Sequence, residues 1–255
     1  MQNSSREKVA LVTGSGKRRV GNVIAAALAA RGYAIALHYN RSADEARQSV
    51  ASLRAQGVRA EAFAADVADE TAVAGLFRHV VDEFGRLDVL VTAAAVWNRR
   101  PIEQVTAADV RREFEVNALG TFLCCQQAGA IMACQPEGGA IITIGDWACV
   151  RPYRDYAAYF LSKGAIPTLT RALAVEFAAR NRSIRVNCIL PGPVMLPDDL
   201  SDAEVKGAVA GTLLKRPGRP EHVAHAVVFL VENDYVTGVC LPVDGGRTIG
   251  ESGYS

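Results

Sequence analysis

Tyr159 and Lys163 stand four residues apart in Tyr159-Phe160-Leu161-Ser162-Lys163, and Asp146 precedes the tyrosine by thirteen positions. On a helix this spacing sets the phenol and the ammonium on one face, a turn apart. A neighbouring ammonium favours phenolate, so the expectation is a tyrosine whose pKa falls from its usual value of about 10. Such a tyrosine gives or takes a proton near neutral pH. The same pair also occurs as two surface side chains, so its meaning depends on the elements around it.

Those elements begin with Val9-Ala10-Leu11-Val12, an apolar run of strand character, followed by Thr13-Gly14-Ser15-Gly16-Lys17-Arg18-Arg19-Val20-Gly21. Residues 23–30 read as a helix ending at Gly32, and residues 33–39 as a second strand. Strand, glycine-rich turn and helix form a phosphate-binding corner: glycine lets the backbone approach a pyrophosphate, and the helix N-terminus offers free N–H groups. An NAD site usually carries an acid at the end of the second strand, which would repel a 2′-phosphate. Here that stretch reads His38-Tyr39-Asn40-Arg41-Ser42, with no acid before Asp44. Together with Lys17, Arg18 and Arg19 it forms a cationic, hydroxyl-bearing cluster suited to a phosphate, so the expected cofactor is NADPH.

The rest of the chain alternates. Strands are expected at residues 58–65, 87–92, 140–144, 184–189 and 239–243, and helices at 70–84, 107–133, 156–179 and within 201–231. This pattern predicts an α/β fold, a doubly wound (Rossmann-type) parallel sheet of about seven strands with helices on both faces, forming one domain over residues 1–255 after a polar tail at 1–7. Ligands of such sheets bind at the carboxyl ends of the strands. Residues 191–208, proline-rich and then polar, are expected to cap a substrate pocket. With 255 residues, half of them hydrophobic, the chain can bury a large core. A net charge of +1 gives no general attraction to nucleic acid or membranes. No apolar run approaches the ~18 residues of a membrane span, and the polar start shows no signal peptide. Cys124, Cys125, Cys134, Cys149, Cys188 and Cys240 include no Cys-x-x-Cys pair and read as reduced thiols of a cytoplasmic protein.

Over its length the chain resembles the short-chain dehydrogenase/reductase family. The matching residues are the Thr13-Gly14…Gly21 turn, Asp66-Val67, Asn117, Tyr159-x-x-x-Lys163 and Pro191-Gly192. The resemblance implies that Asp66 contacts the adenine, Lys163 the nicotinamide ribose, and Val194 the region of the carboxamide, with Asn117 holding a water in a proton relay. Asp66 could equally be a helix N-cap. It also implies a homotetramer built on the long helices at 107–133 and 156–179.

Three departures stand out. The first turn takes seven steps from Gly14 to Gly21 where the family usually takes six, so Lys17, Arg18 and Arg19 have no fixed contacts. The usual Asn-Asn-Ala-Gly is Thr92-Ala93-Ala94-Ala95, in which small residues still let the backbone pass close to a cofactor. Asp146 occupies the position of the usual catalytic serine. A carboxylate cannot donate to a ketone oxygen, but it can accept a ring N–H or relay a proton to a ring nitrogen, which favours reduction of a C=N bond. Alternatively Asp146 only caps a turn and Tyr159 acts alone.

The aspartate is similar to the pteridine reductase branch, as are Leu37-His38-Tyr39-Asn40-Arg41-Ser42 and Trp97, whose indole would stack on a flat heterocycle. Trp97 could instead be a plain pocket wall or an oligomer contact, and either Arg18 or Arg19 could reach the heterocycle or the pyrophosphate. The expected activity is NADPH-dependent reduction of a pterin-like small molecule, with Tyr159 as proton donor. Its rivals are reduction of a ketone or 3-oxoacyl thioester, a non-catalytic NADPH-binding sensor, and a purely structural assembly protein.

Overall fold

The computed structural model describes residues 7–196 and 201–250. The first apolar run becomes β1 (Val9–Thr13), and the chain continues through α1 (Val20–Ala29), β2 (Ala34–Tyr39), α2 (Ala43–Ala55), β3 (Ala60–Ala64), α3 (Glu70–Phe84) and β4 (Val89–Thr92). There follow α4 (Ala107–Phe114), α5 (Gly120–Ala133), β5 (Gly139–Ile144), α6 (Ala157–Ala178), β6 (Ile184–Pro191), α7 (Asp202–Ala210), α8 (Pro220–Glu232) and β7 (Cys240–Val243). Among the described residues the seven strands are all parallel, in the order β3-β2-β1-β4-β5-β6-β7.

The central strands β1, β2, β4 and β5 are buried along almost their whole length because both faces of the sheet are covered there. Along β1, Val9 and Leu11 join the core beneath α3, α5 and α6, while Ala10 and Val12 join the one beneath α1, α2 and α8. That is the period-2 alternation of a strand sorting side chains between two layers. Local signals set the helix ends. Asp69 accepts from Ala72 N to cap α3, which stops at Gly85 in the left-handed region (φ 80°). Thr106 and Asp109 close a reciprocal capping box at the start of α4.

Three local expectations are corrected. The helical stretch expected over 107–133 is two helices separated by a π turn, Glu115–Leu119, with Asn117 at its centre. The widened turn accompanies a demand that periodicity cannot register: the Asn117 amide reaches out of the helix column to the β4 loop and to α6. The helical region at 201–231 is α7 and α8, separated by the turn before Pro220. Finally, α2 occupies residues for which no helix was expected. Of the segment expected to cap the pocket, residues 197–200 lie outside the described residues.

Because β1 has β2 on one side and β4 on the other, the winding reverses between them. The loops leaving β1 and β4 part there, opening a crevice at the strand ends.

Candidate active site

The crevice is a cavity of about 1860 Å³, walled by the residues that follow the carboxyl ends of β1, β2, β4, β5 and β6. Its floor at the first turn is built by close backbone approach. Gly14 has φ 66°, and a Cβ there would stand 2.6 Å from the Cα of Ala94. Small residues at Ala93, Ala94 and Ala95, all on the cavity wall, are the other half of that contact. A Cβ on Gly16 would meet the Oγ of Ser42 at 2.7 Å, so the glycine turn and the end of β2 do converge.

This end of the cavity fits a dinucleotide. Gly14, Gly16, Val20 and Gly21 line it, and no side chain caps the first turn of α1 or places an acid in it. Asn22 N and Val23 N donate to Arg19 O, which leaves the N–H groups of Val20 and Gly21 at the helix start for an anion. Lys17, Tyr39, Asn40, Arg41 and Ser42 line the cavity as well, bringing two cations beside hydroxyl and amide donors.

Other residues expected to contact cofactor lie off the wall. His38 is buried, its Nδ1 accepting from Gly14 N (3.1 Å) and its Nε2 facing Ala65 O (3.1 Å), so both ring nitrogens are engaged by backbone. Burial holds its pKa below the usual histidine value, and its role here is to clasp the glycine turn to the end of β3. Ser15 is turned inward to Val12 O (2.7 Å). Arg18 is exposed but does not line the cavity. Val67 packs in the core against Gly120. Asp66 accepts from Ala68 N (3.0 Å) in a local turn, and the cap of α3 is Asp69. Pro191, Gly192 and Val194 do line the cavity.

At the other end, α6 carries Tyr159 in its first turn and Lys163 one turn on, and Asp146 follows β5. The Tyr159 hydroxyl donates to Asp146 Oδ2 at 2.8 Å, and Asp146 Oδ1 accepts from Ala148 N at 2.8 Å. Asp146 thus does cap the short turn after β5 while also holding the tyrosine. Lys163 is almost wholly buried and donates to Ile144 O at 2.7 Å. The expectation that the lysine would lower the tyrosine pKa is corrected. Burial, and then the charge and hydrogen bond of Asp146, push Tyr159 well above its ordinary value. Burial also raises Asp146, against the hydrogen bonds it accepts and the Lys163 ammonium, and lowers Lys163. The phenol is held neutral, as a proton donor must be.

Asn117 lies off the cavity wall and acts as a brace. Its Oδ1 accepts from Val96 N, and its Nδ2 donates to Val96 O and to Ser162 Oγ, all within 2.9 Å. Ser162 Oγ in turn donates to the carbonyl of Tyr159 at 2.7 Å. The side chain is fully used, and Thr121 Oγ1 already donates to the Asn117 carbonyl.

Trp97 lines the cavity with the Arg19 guanidinium over its ring, 5.1 Å from the centroid. Sequence reasoning missed the opposite wall: Trp147 stacks on Tyr153 (6.2 Å, 25°), with Tyr156 beside them. The signal was present, since Trp147 follows Asp146 directly and two tyrosines precede Tyr159 within six residues. Arg247 was also missed. It lies over Trp147 (4.9 Å) and donates to Gly207 O and Ala208 O at the end of α7. Ala203, Glu204, Gly207 and Ala208 of α7 complete the wall. Among the described residues no cluster of side chains has the makings of a metal site.

Comparison with known proteins places this geometry. The model of a family described as Enoyl-(Acyl carrier protein) reductase matches residues 15–248. An uncharacterized oxidoreductase of Methylorubrum extorquens is 38% identical over 246 residues, covering 94% of this chain and 97% of its own. A short-chain type dehydrogenase/reductase of Picea abies is 35% identical, over 94% of this chain and 92% of its own. The crystal structure of acetoin dehydrogenase from Enterobacter cloacae superposes with a TM-score of 0.88 at 32% identity, covering 98% of this chain and 99% of that one.

Proposed function

The chain belongs to the short-chain dehydrogenase/reductase family of oxidoreductases, and from that premise we propose that it is an NADPH-dependent reductase of a C=N bond in a flat, pterin-like heterocycle. The observation that carries the reading is the hydrogen bond from Tyr159 to Asp146 inside a cavity walled by two indoles. An ionisable acid beside the proton donor matches a substrate whose reacting atom is a basic ring nitrogen, and indole faces match a flat ring.

When bound, the nicotinamide dinucleotide supplies a hydride to a ring carbon of the substrate. Gly14, Gly16, Gly21 and the first turn of α1 would hold its pyrophosphate, and Lys17, Arg41 and Ser42 its 2′-phosphate, while Arg19 stands over Trp97. Trp97 orients the substrate ring, and α7 with residues 191–196 keeps water out as a lid. Tyr159 delivers its proton to the ring nitrogen. Asp146 orients the phenol beforehand by accepting its hydrogen bond, and the Lys163 ammonium offsets the negative charge left on the phenolate once the proton has gone. A phenol with a raised pKa suits the reductive direction, since it enters the cycle protonated.

A second reading is reduction of a ketone or thioester carbonyl. It is favoured by the raised Asp146, because a neutral carboxyl can donate to a carbonyl oxygen, and by the likeness to an enzyme named for acetoin. NADPH oxidation by the purified protein with a dihydropterin, beside an acetoacetyl thioester and with NADH in parallel, separates the two. Turnover of the dihydropterin with NADPH alone supports the first reading. Turnover of the thioester alone replaces it with the second. A homotetramer belongs to either proposal, supported by the exposed Phe122 of α5 and Leu161 and Val175 of α6.

A further inference from the structure

Residues 93–100 continue from β4 without pairing to any strand, yet their backbone is held at every second residue. Ala94 N donates to Thr13 Oγ1 (3.1 Å), Val96 N to Asn117 Oδ1 (2.8 Å), Asn98 N to Glu113 Oε1 (2.9 Å) and Arg100 N to Asp155 O (2.7 Å). Side chains and a loop carbonyl thus stand in for a neighbouring strand, with the period-2 alternation of one. Residues 93–99 as a whole line the cavity, with Ala95, Trp97 and Arg99 lying between the held ones. Glu113 near the end of α4 and Asn117 in the π turn that follows together grip the two residues that flank Trp97.

Glu113 is the unusual member of this set. It is 1% exposed, and among the described residues no cation pairs with it. Its Oε1 accepts both the backbone and the amide N–H of Asn98 (2.9 and 3.1 Å), while its Oε2 has no partner. Asp109 on the same helix is a like charge, and with Arg100 and Asp155 it borders the small cavity beside Glu113; Arg100 is bonded to Asp109 at 2.9 Å. A buried carboxyl without a counter-ion is costly, and an apolar residue of similar size would fill the same space. What the carboxyl supplies in return is its grip on Asn98.

We propose that Glu113 is a positioning residue: by holding Asn98 it sets where Trp97 and Arg99 stand in the cavity, and so determines how well a ring substrate is bound. The inference rests on the reading of this cavity as a ring-substrate site. Arg99 extends the consequence, since it joins Glu204 on α7 at 2.9 Å and so ties this loop to another wall of the cavity.

The test compares Glu113→Leu and Glu113→Gln in a Trp147→Phe background, where Trp97 is the sole indole. Acrylamide quenching of Trp97 reports the loop without any substrate. The expected result is stronger quenching in Glu113→Leu and near-parental quenching in Glu113→Gln, which keeps an acceptor oxygen. With a ring substrate and Trp147 intact, Glu113→Leu raises KM about tenfold over wild type, the equivalent of one net hydrogen bond, with kcat and the directly titrated NADPH dissociation constant nearly unchanged. Glu113→Gln restores KM. Unchanged quenching in Glu113→Leu, or a joint loss of kcat and NADPH affinity that Glu113→Gln does not rescue, overturns the proposal. Should Glu113→Leu not fold, Asn98→Ala, which removes the second donor, takes its place in the same comparison. If the wild-type protein turns over no ring substrate, the functional reading fails, and the quenching result still decides the role of Glu113 in holding the loop.

Discussion

Tyr159 is the residue whose removal gives the most direct reading of the chemistry. Tyr159→Phe leaves the ring packed beside Tyr156 and Phe160 but removes the proton, and is expected to lower kcat by at least ~10²-fold with NADPH binding retained. Single-turnover hydride transfer at the wild-type rate in that variant would remove the tyrosine from the mechanism. Glu113 gives a pH signature in stability. Its folded-state pKa is raised by burial above the usual 4.5, so the folded protein binds more protons than the unfolded chain as pH climbs past that value. Its contribution is most favourable below about 4.5 and is lost as pH rises through the folded-state pKa. Relative to wild type, Glu113→Gln should therefore gain in Tm between pH 4 and pH 7; a difference that does not vary with pH would show the carboxyl to be unperturbed. At this scale residue types were legible and their titration was not. Tyr159, Lys163 and Asp146 announce themselves by identity and spacing, but the direction of the tyrosine shift depends on burial by Phe160, Tyr156 and the β5 loop, which no local spacing encodes.

Among the elements, the β1–α1 turn is the one whose shape is set most sharply. Gly14 combines a positive φ with a Cβ direction blocked by the Ala94 backbone. Gly14→Ala should cost about 1 kcal/mol or more from the left-handed conformation alone, and further from displacing residues 93–95. Titration of NADPH fluorescence should show cofactor binding weakened more than tenfold, well beyond the fall in Tm. Retained affinity would mean that this turn does not carry the pyrophosphate. The strand–turn–helix unit was legible because its signals are local: an apolar run, a glycine-rich turn and an alanine-rich helix that ends at Gly32. The π turn was not, because the bonds of Asn117 to Val96 and Ser162 span 21 and 45 residues of sequence. The opposite wall was missed for the same reason: Trp147 and Arg247, a hundred residues apart in sequence, become neighbours only when β5 and the segment after β7 are brought to one end of the sheet.

For the whole molecule, the exposed apolar residues on α5 and α6 are a testable surface. Val175 is 73% exposed on the longest helix. If these faces join copies of the chain, Val175→Glu should lower the particle mass measured by light scattering while leaving the circular dichroism spectrum unchanged; an unaltered mass would move the contact elsewhere. No described helix is long and apolar enough to cross a membrane. By itself the sequence determined the alternation of strands and helices, the glycine turn, the cationic end of β2 and the Asp146, Tyr159 and Lys163 set. Each of these is written in backbone periodicity or in residue types a few positions apart. Tertiary structure decided that His38 clasps the turn, that Tyr159 donates to Asp146 and is held neutral, and that Glu113 and Asn117 grip the loop bearing Trp97. Those outcomes depend on which distant groups exclude water from one another, and that is settled only when the sheet brings its loops to a single edge.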